Sequence, residues 1–242
     1  MNRPAARTAD DNETRTANDN ETWERNRVIP ENVELEELVA HARGLAVPGQ
    51  RHILGIVGAP GSGKSTLAAA IVAALGPALS TLVPMDGFHL ANAVLVAQGK
   101  RDRKGAIDTF DAMGCALLLE RLAGQTAADP VVYAPVFRRE IEEPIACANP
   151  VAWDTPLVVV EGNYLLHDDP VWGRAAACLD TSWYLQPETG IRHGRLIRRH
   201  EEFGKAPADA KAWALGTDEV NAELISRSAV RADRVLRLLT HL

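Results

Sequence analysis

Residues 58–65 have the types and spacing that hold a chain of phosphates. They read GAPGSGKS and fit the pattern G-x-x-x-x-G-K-[ST] in full, between an apolar segment, His52–Val57, and a run of helix-forming residues that begins at Thr66. Glycines let the backbone curl so that several N–H groups point at phosphate oxygens, and the positive end of the following helix adds to the attraction. We therefore expect Lys64 to contact the β and γ phosphates of a nucleoside triphosphate and Ser65 to bind Mg²⁺. The predicted nucleotide-binding residues are Gly58, Ala59, Pro60, Gly61, Ser62, Gly63, Lys64, Ser65 and Thr66.

Two acids come directly after apolar segments that read as strands. Asp86 follows Leu79–Met85, and Glu161 follows Leu157–Val160. Ligands of open α/β sheets bind beyond the carboxyl ends of the strands, and a carboxylate there can align an acceptor hydroxyl and take its proton. Asp86 is therefore the candidate catalytic base, while Glu161 would bind Mg²⁺, directly or through water, or contact the acceptor. The neighbours of Asp86 that would line the acceptor pocket are Gly87, Phe88 and His89.

A basic segment follows Pro187 and has helical spacing. Its arginines are Arg192, Arg195, Arg198 and Arg199. Arginines on a mobile lid can neutralise the charge that spreads over a transferring phosphoryl group and can exclude water. The alternative is a solvated basic face paired with the glutamates that follow it. The phosphate-binding motif in the same chain favours the lid, with Arg195 ahead of Arg199 as candidate catalytic residues.

The elements that must position these residues alternate between short apolar strands and helices. This alternation predicts a three-layer α/β fold with a doubly wound, mostly parallel sheet of five strands and a helical lid. The expected strands are His52–Val57, Leu79–Met85, Leu157–Val160, Ser182–Leu185 and Val235–Leu239. Apolar residues at helical spacing predict a helix that contains Leu35 and Ala42 and another over Thr109–Leu122.

The first part of the chain differs in composition from the rest. It is rich in Asn, Asp, Glu, Thr and Arg, and it contains an imperfect duplication, TADDNETR followed by TANDNETW. Such a segment has too little apolar surface to offset the entropy of ordering. We expect residues 1–29 to form a disordered polar tail and residues 30–242 to form one domain.

Charge and cysteine content limit the classes of protein. The net charge of −6 argues against a general nucleic-acid binder. The polar N-terminus is not a signal peptide, and the apolar stretches are too short to span a bilayer. The three cysteines, Cys115, Cys147 and Cys178, form no Cys-x-x-Cys pair and no disulfide framework. A cytoplasmic location without a membrane or nucleic-acid partner is expected.

The chain resembles the phosphoribulokinase, uridine kinase and type I pantothenate kinase branch of the P-loop kinases. Within that branch it is most similar to bacterial proteins described as nucleoside/nucleotide kinase-like or fructose-transport-system kinase-like. The segments that carry the resemblance read GAPGSGKST (58–66), MDGFHL (85–90), KGAIDTFD (104–111), YAPVFRREIEEP (133–144), VVVEGNYLLHDD (158–169) and GTDEVN (216–221). They span nearly the whole predicted domain, and their combination is more specific than the phosphate-binding motif.

The resemblance implies ATP as phosphate donor, Mg²⁺, often a homodimer, and an alcohol group of a sugar, nucleoside or pantothenate-like molecule as acceptor. It implies Asp86 as the acceptor base and Arg195 and Arg199 as lid residues. The residues of the acceptor region are Asp86, Phe88, His89, Tyr133, Arg139, Glu161, Asn163 and Tyr164. The sequence departs from the pattern twice: Arg138 stands where relatives usually have Asp, and Ala229 and Val230 stand where relatives tend to have Arg.

Two other functions compete with a small-molecule kinase. One is a nucleotide-driven switch or motor that hydrolyses without an acceptor; a GTPase of this kind would need an Asn-Lys-x-Asp motif, which the sequence does not contain. The other is a non-catalytic regulator that binds nucleotide. The phosphate-binding motif, the two strand-end acids and the arginine segment together favour a kinase that transfers phosphate to an alcohol group.

Overall fold

The computed structural model describes residues 28–239, so most of the predicted polar tail lies outside the described residues. The strands are β1 (Glu31–Val33), β2 (His52–Val57), β3 (Ser80–Pro84), β4 (Val132–Arg138), β5 (Glu143–Val151), β6 (Leu157–Gly162), β7 (Thr181–Leu185) and β8 (Arg234–Leu238). The α-helices are α1 (Leu35–Leu45), α2 (Lys64–Leu75), α3 (Asn92–Ala97), α4 (Ala112–Ala123), α5 (Pro170–Ala176), α6 (Thr189–Glu202), α7 (Pro207–Leu215) and α8 (Thr217–Ser226). Short 3₁₀ turns lie at Met85–Phe88, Arg101–Arg103, Ile107–Thr109 and Ala229–Arg231.

Six of these strands form one sheet in the order β1-β8-β7-β2-β6-β3, and every neighbouring pair is parallel. The predicted three-layer, doubly wound fold is confirmed. The sheet has six strands rather than the five predicted, because β1 pairs with β8 at the edge. This strand is three residues long and mostly exposed, so it lacks the apolar run that marks the other strands.

Side chains of the sheet alternate between two apolar cores. Along β6, Val158 and Val160 enter the core under α4 and α5, whereas Leu157 and Val159 enter the core under α1 and α2. Both faces are therefore covered, which explains why the strands are continuous apolar runs. Within the described residues no helix combines the length and apolarity needed to cross a bilayer.

The long connection between β3 and β6 holds more structure than the sequence predicts. Helix α4 begins at Ala112 rather than Thr109, because the Asp111 side chain accepts a hydrogen bond from the Gly114 N–H at 2.8 Å and caps the helix. After it, β4 and β5 form an antiparallel ribbon. The ribbon packs on the Met85–Phe88 turn, where a side chain on Gly87 would lie 2.6 Å from the Pro135 carbonyl oxygen.

Candidate active site

The parallel register brings the candidate acids beside the phosphate-binding loop. Glu161 pairs with Ile56 of β2 on one side and with Pro84 of β3 on the other. Because β2 ends at Val57, Glu161 lies at the level where the loop begins. Asp86 comes two residues after Pro84, in the turn that follows β3. The carboxyl ends of three adjacent strands thus supply the loop and both acids.

The phosphate-binding loop depends on two glycines with left-handed backbone. Gly61 has φ +78° and Gly63 has φ +94°, a conformation that side chains other than hydrogen disfavour. Helix α2 begins directly after Gly63, at Lys64, so its free N–H groups face the loop. Helix α6 packs against the loop so closely that a Cβ on Gly61 would lie 2.8 Å from the Arg192 carbonyl oxygen. The predicted loop and the predicted lid are therefore in direct contact.

A cleft of about 660 Å³ opens between the loop, the Met85–Phe88 turn, the ribbon and the helices α6 to α8. Many of the predicted site residues line it together: Pro60, Lys64, Ser65, Asp86, His89, Arg139, Asn163 and Arg199. The strand-end argument predicted that the loop and Asp86 would lie together in this way. The buried Asn163 Oδ1 accepts no hydrogen bond from any described residue, so it is free to accept one from a ligand.

Lys64 lines this cleft and Glu161 is buried beside it, and the two influence each other's titration. Burial lowers the pKa of the Lys64 ammonium, and the charges of Glu161 and Asp86 oppose that shift. Burial raises the pKa of the Glu161 carboxyl, and the charge of Lys64 opposes it. Ser65 Oγ donates a hydrogen bond to Glu161 Oε2 at 3.1 Å.

The Ser65 hydroxyl and the Glu161 carboxylate together fit a magnesium ion. Mg²⁺ prefers hard oxygen ligands and is held in phosphoryl-transfer sites by one or two protein oxygens plus substrate phosphates. Among residues 28–239 no group of three or more His, Cys, Asp or Glu side chains is arranged to hold a metal. A hydroxyl and a carboxylate 3.1 Å apart beside a phosphate-binding loop are the donor set that shared coordination requires.

Asp86 is held between the ribbon and its own turn. Arg139 Nη2 donates to Asp86 Oδ2 at 3.3 Å, and His89 Nδ1 lies 2.8 Å from the Asp86 carbonyl oxygen. Burial lowers the pKa of His89, so the imidazole is neutral at pH 7 and can donate its Nδ1 proton to that carbonyl. The ring of His89 packs on Phe110 with the centroids 4.0 Å apart.

The two lid arginines have different surroundings. Arg199 is half-buried and lines the cleft, where burial and the charge of Arg139 lower its pKa. Arg195 instead lines a separate cavity of about 270 Å³ and donates to the Ser62 carbonyl at 3.3 Å, behind the loop. Arg199 therefore faces the cleft and Arg195 does not.

Four residues predicted for the acceptor region lie outside the cleft lining. Glu161 is buried next to the cleft, where it accepts the hydrogen bond from Ser65. Phe88 is buried in the core under α4. Tyr164 is fully buried and donates its hydroxyl proton to the Gly105 carbonyl at 2.8 Å. Tyr133 is 53% exposed on the ribbon. The structure therefore does not place these predicted residues in the lining of the cleft.

Several cleft residues were not singled out in the sequence. They are Arg101, Lys104, Phe110, Phe137, Glu140, Glu142, His200, Phe203, Lys205, Trp213, Asp218 and Asn221. Lys104 begins the KGAIDTFD segment and Asp218 and Asn221 belong to GTDEVN, so the motifs contained a signal for them. Phe137, Glu140 and Glu142 belong to the YAPVFRREIEEP segment, so that motif also contained a signal for them. The antiparallel ribbon that carries Phe137 was not predicted, because its strands are interrupted by prolines.

A second cavity, of about 740 Å³, adjoins the loop at Ala59. Ala229 and Val230, the second departure from the family pattern, line it, as does Gln186 directly after β7. Arg192 also lines it and is buried, where it forms an ion pair with Glu219 of α8. This pair joins α6 to α8 at the edge of the loop.

Fold and site together define a P-loop kinase, and comparison with known proteins identifies the family. The chain is 31% identical over 223 residues to C227.14 of Schizosaccharomyces pombe, a protein named as a candidate uridine kinase, covering 87% of this chain and 93% of that protein. It is 36% identical over 151 residues to the ATP-dependent kinase-like protein notR' of Aspergillus versicolor, covering 60% of this chain and 88% of that protein. No protein-family model matches the chain.

Among solved structures, the chain is similar to one described as a candidate fructose transport system kinase from Silicibacter sp. TM1040. The TM-score is 0.74 at 36% identity, over 84% of this chain and 98% of that chain. The family prediction is confirmed: the chain belongs to the P-loop kinases of the phosphoribulokinase, uridine kinase and pantothenate kinase branch.

Proposed function

We propose that this protein is an ATP- and Mg²⁺-dependent kinase that transfers the γ-phosphate to a hydroxyl group of a small metabolite. The observation that carries the proposal is that Lys64, Ser65, Asp86 and Arg199 line one cleft. A phosphate-binding loop is common to many nucleotide-binding proteins. A carboxylate that shares its cleft is the feature needed to activate an alcohol.

In this proposal the loop holds the triphosphate through its backbone N–H groups and the Lys64 ammonium. The second cavity begins at Ala59 of the same loop, so the base and ribose would extend into it past Ala229 and Val230. Those two residues present apolar surface where relatives tend to have Arg. At these two positions, contact with the base would therefore be apolar packing.

The transfer itself requires a proton acceptor and charge stabilisation. The acceptor hydroxyl gives its proton to the Asp86 carboxylate, and the hydroxyl oxygen forms a bond to the γ-phosphorus. The bond between the γ-phosphorus and the β–γ bridging oxygen breaks, and its electron pair leaves on ADP. Lys64 and Arg199 stabilise the negative charge on the phosphoryl oxygens. Mg²⁺, held by Ser65 and Glu161, would neutralise charge on the β and γ phosphates.

The side chains around Asp86 would orient the acceptor. Arg139 bonds to the Asp86 carboxylate and fixes its direction, and the unpaired Asn163 Oδ1 can accept a hydrogen bond from a second hydroxyl of the acceptor. Relatives and neighbours in the comparisons are named for uridine, pantothenate, D-glycerate and a fructose transport system. An alcohol of one of these chemical types is the proposed acceptor. A cytoplasmic location and a homodimer remain part of the proposal.

A coupled assay of ADP formation tests the proposal. The protein is incubated with Mg-ATP and a panel of sugars, nucleosides, pantothenate and glycerate, and a non-hydrolysable ATP analogue is titrated separately. The proposal expects the analogue to bind and ADP to form only when the right acceptor is present. ADP formation without any acceptor would favour a nucleotide-driven switch, and analogue binding with no transfer to any acceptor would favour a regulator.

A further inference from the structure

Lys104 places a positive charge in the wall of the cleft without an acidic partner. Its ammonium donates to Asn92 Oδ1 at 2.7 Å and to the Glu142 carbonyl oxygen. It also lies 5.0 Å from the centroid of the Phe137 ring. All three partners are neutral, and among residues 28–239 no carboxylate lies within ion-pair distance of it. The nearby Glu143 carboxylate accepts both its hydrogen bonds from the Asn92 N–H.

The cleft as a whole also has more positively than negatively charged side chains. Six cationic side chains line it against four carboxylates, although the whole chain has a net charge of −6. One of the four, Asp218, is bonded to His200 at 2.7 Å. The proposed function assigns Lys64 and Arg199 to the nucleotide. The cations then left on the acceptor side are Arg101, Lys104, Arg139 and Lys205.

The position of Lys104 relative to Asp86 fits one molecule that reaches both. His89, which is bonded to the Asp86 carbonyl, packs on Phe137 with the centroids 4.9 Å apart, and Lys104 lies over the same Phe137 ring. Arg139, which bonds to the Asp86 carboxylate, also lies over the Phe137 ring, 5.9 Å from its centroid. Asp86 and Lys104 are therefore both connected to one aromatic ring, so one small metabolite can contact both.

We propose that the acceptor carries an anionic group, a carboxylate or a phosphate ester, which Lys104 binds with support from Arg101 at the end of the cleft away from the phosphate-binding loop. This inference rests on the proposed function and adds the substrate class. A merely structural role for Lys104 would be to tie the Arg101–Arg103 turn to the ribbon through the Glu142 carbonyl. That role requires the hydrogen bonds of the Lys104 ammonium but not its positive charge toward the cleft.

The test measures anion binding by calorimetry on the full chain with saturating Mg²⁺ and a non-hydrolysable ATP analogue, so that the loop is occupied. Inorganic phosphate and acetate are the probes, and chloride keeps the ionic strength constant. Lys104→Gln is compared with the wild type and with Lys211→Gln, an exposed lysine on α7 outside the cleft. We expect one of the two anions to bind the wild type and the Lys211→Gln variant, and its Kd to rise about tenfold or more in Lys104→Gln.

The stronger probe identifies the group as a phosphate ester or a carboxylate. Equal anion binding in Lys104→Gln and the wild type, or no anion binding by the wild type, would overturn the inference. If Lys104→Gln does not fold, Arg101→Gln replaces it, since Arg101 is exposed, and a weaker loss of affinity is expected. Failure of the analogue to bind would instead contradict the proposed function, and the dependence of anion binding on Lys104 can be measured without the analogue.

Discussion

The carboxylate of Asp86 lies 3.3 Å from the guanidinium of Arg139, although 53 residues separate them in the chain. The contact joins the turn after β3 to the tip of the antiparallel ribbon. The ribbon therefore holds the carboxylate that the proposed mechanism uses as a base. A charge-assisted hydrogen bond of this kind fixes both distance and direction.

Replacing Arg139 tests that role. Arg139→Gln should raise the KM for the acceptor and lower kcat, with kcat/KM falling by roughly 10- to 100-fold, because the carboxylate loses its orientation. The KM for ATP should not change. Steady-state kinetics with each substrate varied in turn measure the effect. Arg138→Gln is the matched control, since Arg138 is an exposed neighbour, and an equal loss in that variant would mean that general surface charge is responsible.

Glu161 should make nucleotide binding depend on Mg²⁺ and on pH. Its pKa is raised by burial, so the carboxyl stays protonated to a higher pH than an ordinary glutamate, and metal binding must displace that proton. Affinity for Mg²⁺ with the ATP analogue should therefore increase as pH rises through the raised pKa and then level off. In Glu161→Gln the pH dependence should disappear and the Mg²⁺ affinity should fall by about 10- to 100-fold.

Calorimetric titration of Mg²⁺ at fixed analogue concentration, repeated from acidic to neutral pH, measures both effects. Binding of the analogue without metal is the control and should change little with pH through this group. A pH dependence that persists in Glu161→Gln would assign the titrating group to another residue.

Gly61 and Gly194 offer a matched pair for the packing of α6 on the loop. Gly61 has φ +78°, and a Cβ there would collide with the Arg192 carbonyl and with Leu196 of α6. Gly194 lies in α6 itself, and a Cβ there meets nothing within 4 Å. Gly61→Ala should lower the free energy of unfolding by about 2 kcal/mol or more. Gly194→Ala should raise it by about 0.5–1 kcal/mol. Urea denaturation measures both, and the same sign for the two variants would contradict the packing described.

Arg51 should be important for stability rather than chemistry. Its half-buried guanidinium donates to the carbonyl oxygens of Thr155 at 2.8 Å, Ala152 at 2.6 Å and Leu122 at 3.2 Å. Arg51→Gln leaves several of these carbonyls without a donor and should cost about 2–4 kcal/mol. Arg43→Gln, which loses one exposed bond to the Ala74 carbonyl, should cost less than about 0.5 kcal/mol. Denaturation curves with unchanged slopes are the readout.

The parts of the fold that were predictable are those where burial is continuous. Strand β6 is buried along its whole length, so its apolar run marks it in the sequence. Strand β1 has one buried residue in three and was missed. The ribbon was missed because Pro135, Pro144 and Pro150 interrupt its strands, and because its buried residues are separated by exposed ones and form no apolar run.

In the candidate site, too, some residue positions could be predicted from the sequence and others could not. The loop and the positions of Asp86 and Glu161 follow from local sequence plus the rule that parallel strands end at one edge. Helical spacing put Arg195 and Arg199 on one face, and the prediction placed Arg195 first, whereas Arg199 is the one that lines the cleft. The choice depends on how α6 packs on Gly61, which the sequence does not specify. Lys104 gains its place from contacts with Asn92 and the ribbon, which no local pattern specifies.

Substitution of Asp86 tests the central claim most directly. Asp86→Asn keeps the size of the side chain and removes the proton acceptor. With the acceptor that gives the highest rate of ADP formation, kcat should fall by about 10²- to 10⁴-fold, while the Kd of the Mg-bound ATP analogue stays at the wild-type value. Full transfer activity in Asp86→Asn with intact nucleotide binding would contradict the account.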